Sequence, residues 1–524
     1  MDPSYLFIEL LSVLCFVLII LYYHHLQSKK TSPMEPTKWS VLGHLPGLIA
    51  NIHHLHEWST SVLAGAGYNF EGQGGWTGQL YFITCDPSNV RHIFTSNFAN
   101  YPKGDVFAMT FDILGGGIFS ADGESWRRQR VKVQMLMADP RFRALTARCS
   151  HDKVEKSLLP FLALAADERR PCDLVDVFLR LTLDVTCTLI CGIDPGSLVT
   201  GLPVVPFMRA TDVALGTIFL RHIIPVPYWK LMRRLNVGPE RKMAVARRTI
   251  DSFVDDLIAR RRDRPDMLNL NEGANTGYAD LLSSYLCQEN DTDDYSTGDE
   301  FIHDTVLNLL VAGRDGMAAA LSWFFYLVST TPRVEQKLLD ELALVVASRD
   351  DDGGMATFHA SEIKSLVYLH AAMCETLRLY PPIPFEFKTA AAADVLPCGK
   401  VLKPGDKVLF FNYSMGRMEG VWGKDCKEFR PERWLTEEGS LRYEPSYRFF
   451  SFNTGPRTCL GRDMAFVLTK TVAAAMLWNF AFEVVPGHVV EPRLSIILHM
   501  KNGLVVRVRR RAAGTISRVV TAPT

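Results

Sequence analysis

The sequence predicts a mostly α-helical protein with a small β-sheet and one membrane-spanning helix at its N-terminus. Helical periodicity of the apolar residues dominates from Leu42 onward. The strand-like stretches are short and lie at residues 79–85, 407–412 and 504–508. An apolar run that is nearly uninterrupted covers residues 5–23, which is about the length that a helix needs to cross a bilayer core.

The N-terminal segment, residues 1–25, is predicted to be a transmembrane signal anchor. Asp2 precedes the apolar run, and basic or histidine side chains follow it at His24, His25, Lys29 and Lys30. By the positive-inside rule, the following domain lies in the cytosol. A cleaved signal peptide is the alternative, but the acidic start and the lack of a small-residue cleavage site argue against it. Residues 26–41 are a proline-containing linker. We therefore expect a catalytic domain held against the endoplasmic-reticulum membrane.

Composition excludes some classes of function. The chain has 524 residues, of which 48% are hydrophobic, enough for a large core. Lysine plus arginine and aspartate plus glutamate both number 57, so the balanced charge gives no sign of a nucleic-acid surface. The 11 cysteines are irregularly spaced. An odd, irregular set in a long chain favours reduced thiols in a cytosolic domain.

A long helix is predicted near the middle of the chain. Thr297-Gly298-Asp299-Glu300 has the pattern of a capping box, and the apolar pattern continues to Thr331 before Pro332. A coiled-coil arm is the alternative, but no heptad is sustained. Acidic loops are predicted at residues 288–299 and 348–357, and the tail, residues 511–524, is predicted to be disordered. The glycine clusters at residues 72–78 and 115–117 lack the strand–loop–helix context of a phosphate-binding loop.

The most informative motif lies near the C-terminus, where Phe452, Gly455, Arg457, Cys459 and Gly461 form the pattern F-x-x-G-x-R-x-C-x-G before a helical pattern. A helix N-terminus favours an ionised cysteine, so we expect a thiolate ligand. This run resembles the heme-binding loop of the cytochrome P450 family. The resemblance implies heme b with Cys459 as the axial ligand of its iron, and Phe452 and Arg457 beside the cofactor.

Three further motifs extend the resemblance to about residues 42–508. Glu375-Thr376-Leu377-Arg378 and the run from Phe429 to Trp434 resemble the buried triad of the family, which implies that Glu375, Arg378 and Arg433 lock the side of the heme that carries the cysteine. Trp126 and Arg130 resemble the pair that contacts a heme propionate. The family implies a single-domain fold. The residues of these motifs are similar to those of the plant clan of fatty-acid and alkane hydroxylases. His303, His359 and His370 are expected to be ordinary packed or surface histidines rather than a second axial ligand.

The long helix departs from the family pattern A-G-x-D-T-T. It carries Ala312-Gly313-Arg314-Asp315-Gly316-Met317. In the family, the small residues form a groove for dioxygen, and the acid and the threonine deliver protons. Gly313 and Asp315 keep their places, but Gly316 and Met317 have no side chain that can donate a proton. A typical hydroxylase with this helix is expected to release peroxide.

Several functions remain open. The loss of the threonine is similar to the alkaloid phenol-coupling members of this clan, in which a substrate phenol compensates and no oxygen is inserted. A fatty-acid or alkane hydroxylase with an ordered water beside Asp315 is the second reading. A reductase-independent enzyme that rearranges peroxides is a third, and a heme protein that only binds its ligand is a fourth.

The family also implies a pocket and partners. The predicted pocket draws on residues 106–119, 207–224, 311–316, 383–387 and 496–500, and its lining is aromatic and sulfur-rich: Phe107, Phe111, Phe119, Phe207, Phe219, Phe385 and Met317. Such a lining suits a flat phenolic amine, whose ammonium could pair with Asp112, Asp315 or Glu386. Dioxygen is the implied oxidant. No flavin or nicotinamide motif is present, so NADPH–cytochrome P450 reductase is the expected partner, docking near Arg430, Arg433, Arg448 or Arg462.

Overall fold

The computed structural model describes residues 36, 38–39, 43–74, 80–263, 280–286, 298–349 and 355–511. The predicted anchor, most of the linker, most of the first acidic loop, half of the second and nearly all of the tail lie outside these residues. Among the residues described, no helix has both the length and the apolar character needed to cross a bilayer.

Helices dominate the described part of the chain, as predicted. Their bounds are α1 (Leu45–Ala50), α2 (Leu55–Gly65), α3 (Pro87–Arg91), α4 (Gly104–Thr110), α5 (Gly123–Ala138), α6 (Pro140–Lys153), α7 (Leu159–Asp167), α8 (Leu174–Cys191), α9 (Pro206–Ile223), α10 (Val226–Leu235), α11 (Gly238–Arg262), α12 (Leu281–Leu286), α13 (Asp299–Ser329), α14 (Pro332–Val346), α15 (Ala360–Ser365), α16 (Val367–Leu379), α17 (Asn412–Met415), α18 (Glu419–Trp422) and α19 (Arg462–Asn479).

The strands are short. Their bounds are β1 (Asn69–Gln73), β2 (Leu80–Thr84), β3 (Cys172–Asp173), β4 (Phe385–Thr389), β5 (Asp394–Val395), β6 (Val401–Leu402), β7 (Lys407–Phe411), β8 (Phe480–Val484) and β9 (Val505–Arg510). The three stretches predicted from sequence correspond to β2, β7 and β9.

Contacts divide the chain into two compact units. The first unit consists of the residues up to Val90 and Glu386–Cys426. It holds the sheet with strand order β1-β2-β7-β4, in which β1 and β2 are antiparallel while β2 and β7 are parallel, and the β5-β6 hairpin. In this unit α2 packs against α17.

The second unit, Arg91–Phe385 with Lys427–Thr524, contains the cysteine loop and the long helix. Its sheet has the order β3-β9-β8. The most extensive helix contact is between α13 and α8, and α16 and α19 also pack against α13. Most side chains of α13 are buried, so this helix is the core of the unit.

The long helix starts differently from the prediction. It has 31 residues and is about 46 Å long at the usual rise. Its N-cap is Gly298, which has no side chain to accept a hydrogen bond, so the predicted capping box does not form there. Asp299 instead pairs with Arg262 at 2.5 Å. At the other end the helix stops at Ser329, and Pro332 occupies the first position of α14, where its missing N–H costs nothing.

Candidate active site

The cysteine loop is shaped by backbone contacts. The Cys459 N–H donates to the Phe452 carbonyl at 2.8 Å, which closes the loop before α19. Gly455 has φ +68°, and a Cβ there would collide with the Phe94 carbonyl oxygen, so only glycine fits. The Phe452 ring packs on Phe466 of α19 with ring centroids 5.3 Å apart. The loop is therefore held from both sides, with the cysteine at its exit.

The Cys459 side chain is exposed, yet burial raises the pKa of its thiol. A backbone hydrogen bond from Gly461 and the positive charges of Arg130 and Arg462 act in the opposite direction but do not outweigh burial. In the protein chain alone desolvation is the larger effect and favours the neutral thiol, whereas iron bound to the sulfur would favour the thiolate that we expect.

Two arginines and a tryptophan stand beside the cysteine loop. The Arg130 guanidinium donates to the Thr458 carbonyl at 2.7 Å and lies 5.8 Å from the ring centre of Trp126. The Arg457 guanidinium lies 4.5 Å from the same ring centre. It also donates to the Asp122 carboxylate and to the Ala121 carbonyl, both at 2.7 Å. The structure thus brings together the side chains predicted to hold the propionates, and adds Asp122.

This donor set fits a heme. The Cys459 thiol is free and exposed, so its sulfur is accessible to a metal ion. Two guanidiniums gather around one tryptophan, while Asp122 is the carboxylate that balances one of them. The remaining positive charge suits the carboxylates of a porphyrin.

The predicted triad is present and buried. Glu375 is fully buried and accepts two hydrogen bonds from Arg378, at 2.7 and 2.8 Å. It also accepts from Arg433 at 3.3 Å, from the Trp434 indole at 2.9 Å and from the Arg430 N–H at 3.0 Å. The buried carboxylate is thus compensated on both oxygens, and it fastens α16 to the segment that precedes the cysteine loop.

One face of the long helix is open in its middle. Ala312 is exposed and Gly316, one turn later, is half-buried, although the helix is otherwise mostly buried. A Cβ built on Gly316 meets nothing within 4 Å. The position at which the family has threonine therefore faces free space.

The neighbouring positions of the helix are closely packed. A Cβ on Gly313 would lie 2.6 Å from the Thr186 Cγ2 atom and 2.8 Å from its Oγ1 atom. Close packing of α13 on α8 therefore requires a glycine at position 313, independently of any groove for dioxygen. The predicted dioxygen groove stays a prediction. Met317 is 5% exposed.

Asp315 forms a buried cluster that the sequence did not reveal. The Arg314 guanidinium donates to both of its carboxylate oxygens, at 3.0 and 3.3 Å, and the His499 Nε2 atom lies 3.2 Å from one of them. Burial alone would raise the pKa of Asp315, but the charge of Arg314 and the hydrogen bond from His499 hold it below its ordinary value. The carboxylate is therefore ionised and engaged.

An aromatic cluster forms within the predicted pocket. Phe107 and Phe111 stack at 4.3 Å, and Phe111 meets the edge of His222 at 5.7 Å. Phe385 lies 5.8 Å from His222 and 6.1 Å from Phe219. We call these five residues the aromatic cluster; His222 was not anticipated from sequence.

Phe207 lies apart from this cluster, stacked on Phe253 at 4.4 Å. Phe119 is 36% exposed, and its N–H donates to Asn308 at 3.2 Å.

Asp112 cannot serve as a counterion for a substrate ammonium, contrary to one of our expectations. Its carboxylate pairs with Arg221 at 2.7 Å, with Arg233 at 2.9 Å and with Arg247 at 3.7 Å. These arginines come from three different helices that are far from Asp112 in sequence. Asp315 is already engaged as well, and Glu386 keeps this role only as a hypothesis.

The three histidines named from sequence have other neighbours. His303 lies near Asp304 and Asp251, His359 stacks on the His151 ring at 4.8 Å, and His370 packs on Phe466 at 4.3 Å.

The second glycine cluster is explained by the long helix. A Cβ on Gly115 would collide with the Asp304 carboxylate, and one on Gly117 would collide with the Asn308 amide. The Asn308 amide donates to the Leu114 carbonyl at 2.8 Å, and Asp304 accepts from the Gly116 N–H at 2.7 Å. These glycines let the loop lie directly on α13.

The sequence is similar to known proteins over nearly its whole length. The family model described as Cytochrome P450 matches residues 33–506. Noroxomaritidine synthase 2 from Narcissus pseudonarcissus is 41% identical over 507 residues, which are 96% of this chain and 96% of that protein. Cytochrome P450 86B1 from Arabidopsis thaliana is 40% identical over 518 residues, 97% of this chain and 91% of that protein. Alkane hydroxylase MAH1 from the same plant is 38% identical over 502 residues, 95% of this chain and 97% of that protein.

Proposed function

The chain belongs to the cytochrome P450 family, a family of heme-thiolate iron enzymes, and from that premise we propose that it couples two phenol rings within one substrate. The proposed substrate is an O-methylated norbelladine whose rings join para to para′, as in an alkaloid pathway of the Amaryllidaceae type. The likeness to noroxomaritidine synthase 2 supports this choice over other phenols.

The observation that carries the proposal is the open position at Gly316. No side chain there can donate a proton, and the neighbouring carboxylate of Asp315 is held by Arg314 and His499. A phenol hydroxyl of the substrate fits the free space and supplies the missing hydrogen-bond donor. A substrate without a hydroxyl group leaves this position without a donor.

The reaction balances without oxygen insertion. The substrate loses two hydrogen atoms, one from each phenol, and a carbon–carbon bond forms between the rings. NADPH supplies two electrons, and dioxygen with four protons in total becomes two molecules of water. The net change in the substrate is the loss of two hydrogens.

Each part of the site has a role in this scheme. When bound, the heme supplies the activation of dioxygen and the one-electron oxidation of the phenols. Cys459 would bind its iron through the sulfur, and Arg130 and Arg457 would hold its carboxylates. The buried carboxylate of Glu375 keeps the loop in place. The aromatic cluster offers ring faces and edges to the two substrate rings.

Electron supply and location belong to the proposal as well. We expect NADPH–cytochrome P450 reductase to dock on the face of the cysteine loop, where Arg430 and Arg462 are exposed. Arg448 is 31% exposed and pairs with Glu444, and Arg433 is 11% exposed and bound to Glu375, so these two are less suited to docking. The N-terminal segment would hold the enzyme on the cytosolic side of the endoplasmic-reticulum membrane.

Hydroxylation of a fatty acid or alkane is the second candidate. The likeness to alkane hydroxylase MAH1 favours it. In that case an ordered water next to Asp315 would supply the proton donor that Gly316 lacks.

Product analysis tests the proposal. The purified holoenzyme is incubated with reductase and NADPH, and with either the O-methylated norbelladine or a long-chain fatty acid. Coupling predicts a norbelladine product lighter by two hydrogens that forms only when reductase and NADPH are both present. A hydroxylated fatty acid and unchanged norbelladine would contradict it. Turnover of an added fatty-acid hydroperoxide without reductase would indicate peroxide rearrangement, and no product from any substrate would indicate a protein that only binds its ligand.

A further inference from the structure

His499 is a buried imidazole fixed in position from both sides. It is 4% exposed. The preceding residue, Leu498, donates from its N–H to the Pro382 carbonyl at 2.8 Å and accepts from the Trp323 indole at 2.7 Å. The His499 carbonyl accepts from the Arg493 N–H at 2.7 Å. The backbone at this position is thus held by α13, by the residues after α16 and by its own segment, and the ring itself contacts Asp315.

The hydrogen bond to Asp315 sets the state of the ring. Because the Asp315 carboxylate is ionised, the His499 Nε2 atom must carry the hydrogen that lies between them. The Nδ1 atom is then the site at which the ring takes up or releases a proton. Among the residues described, this Nδ1 atom is buried and has no hydrogen-bond partner.

Two side chains of opposite charge lie in the cluster with the ring. The Asp315 carboxylate lies 3.2 Å from the His499 Nε2 atom, and the Arg314 guanidinium, which is 1% exposed, pairs with the same carboxylate at 3.0 Å.

The cluster lies at the edge of the open face of α13. At 100° per residue, Asp315 is about 60° from Ala312 and about 100° from Gly316 around the helix. Gly313, which packs on Thr186, lies on the other side of that face. The carboxylate that orients His499 therefore belongs to the residue directly before the position that lacks a threonine.

We propose that His499, oriented by Asp315, supplies protons for dioxygen reduction in place of the helix threonine. This inference rests on the proposed function, because the coupling reaction still draws two protons per dioxygen from outside the substrate. The proton leaves from Nδ1, while Asp315 remains ionised and holds the ring through Nε2.

His499→Gln tests this role, because its amide nitrogen keeps a donor for Asp315 but cannot exchange a proton as imidazole does. Product formation should fall roughly 100-fold, which is the usual size of a lost general acid. Peroxide released per NADPH oxidised should rise several-fold. Heme content and the change in heme absorbance on substrate binding should stay as in the wild type. His488→Gln is the control, since His488 contacts the Gly503 carbonyl and not the long helix.

Restoring the threonine gives the decisive variant. Gly316→Thr has room for its side chain. Added to His499→Gln, it should bring peroxide release back toward the wild-type level if the two side chains perform the same task. Unchanged peroxide release in His499→Gln, or no recovery in the double variant with full heme content, would overturn the proposal.

The two proposals fail separately. Peroxide per NADPH is measured with the norbelladine and with the fatty acid, so it reports on His499 whichever of them is the substrate. Absence of the coupled product contradicts only the proposed function.

Discussion

Gly313→Ala separates helix packing from a role in the reaction. The new Cβ would lie 2.6 and 2.8 Å from two atoms of Thr186, where ordinary contacts are 3.4–4 Å, so the helices must separate by roughly 1 Å at this point. Overpacking of this kind costs about 1–3 kcal/mol. Gly316→Ala is the matched control, because it gains the same helix propensity of about 1 kcal/mol and its Cβ meets nothing within 4 Å.

The difference between the two variants isolates the collision. Chemical unfolding of the holoenzymes should show Gly313→Ala less stable than Gly316→Ala by about 1–3 kcal/mol. Thr186→Ala removes both colliding atoms, so Gly313→Ala combined with Thr186→Ala should regain most of this loss. Equal stability of the two alanine variants, or no recovery in the combination, would refute the packing argument.

Turnover then tests the predicted groove for dioxygen. If Gly313 serves packing alone, the combination with Thr186→Ala recovers activity together with stability. If the small residue also shapes the path of dioxygen, stability returns but product formation stays low.

Three further perturbations follow from the structure. Glu375→Gln leaves a buried guanidinium without its charge partner and should cost about 3 kcal/mol or more of unfolding free energy. The control Glu124→Gln removes an exposed carboxylate and should change the unfolding free energy by less than about 0.5 kcal/mol. Equal losses in the two variants would contradict the buried network. Gly117→Ala displaces the buried amide of Asn308, which makes three hydrogen bonds, and should cost roughly 2–3 kcal/mol of unfolding free energy. Thermal unfolding measures this loss, and Gly116→Ala is the control that should be tolerated. Burial lowers the pKa of His370 from 6.5 to about 4. Between these pH values the unfolded chain binds a proton that the folded chain does not, so the stability falls as the pH falls, by about 3 kcal/mol in total. His370→Phe should flatten that part of the stability–pH curve, and an unchanged slope would show that other groups cause it.

Local motifs predicted the parts of the site that are close in sequence or common to the family. The loop around Cys459 and the triad centred on Glu375 were expected from a few residue types at fixed spacing. The backbone contact between Cys459 and Phe452 and the pairing of Glu375 with Arg378 need little more than one loop and one helix turn.

Contacts between distant segments were not predictable in this way. His499 meets Asp315 across 184 positions, and Arg457 meets Asp122 across 335, with no spacing rule that joins them. Asp112 looked like a free acid because the arginines that neutralise it come from later helices. The burial that raises the pKa of the Cys459 thiol is likewise a property of the fold that the motif does not show.

The destination of the oxygen atoms tests the central claim most directly. The holoenzyme, reductase and NADPH are supplied with heavy-isotope dioxygen and the O-methylated norbelladine, and the mass of the product is measured by mass spectrometry. Phenol coupling predicts a product that is lighter by two hydrogens and free of label, with the heavy oxygen recovered in water. A product that carries one heavy oxygen atom would show insertion, and would contradict coupling at the open position of Gly316.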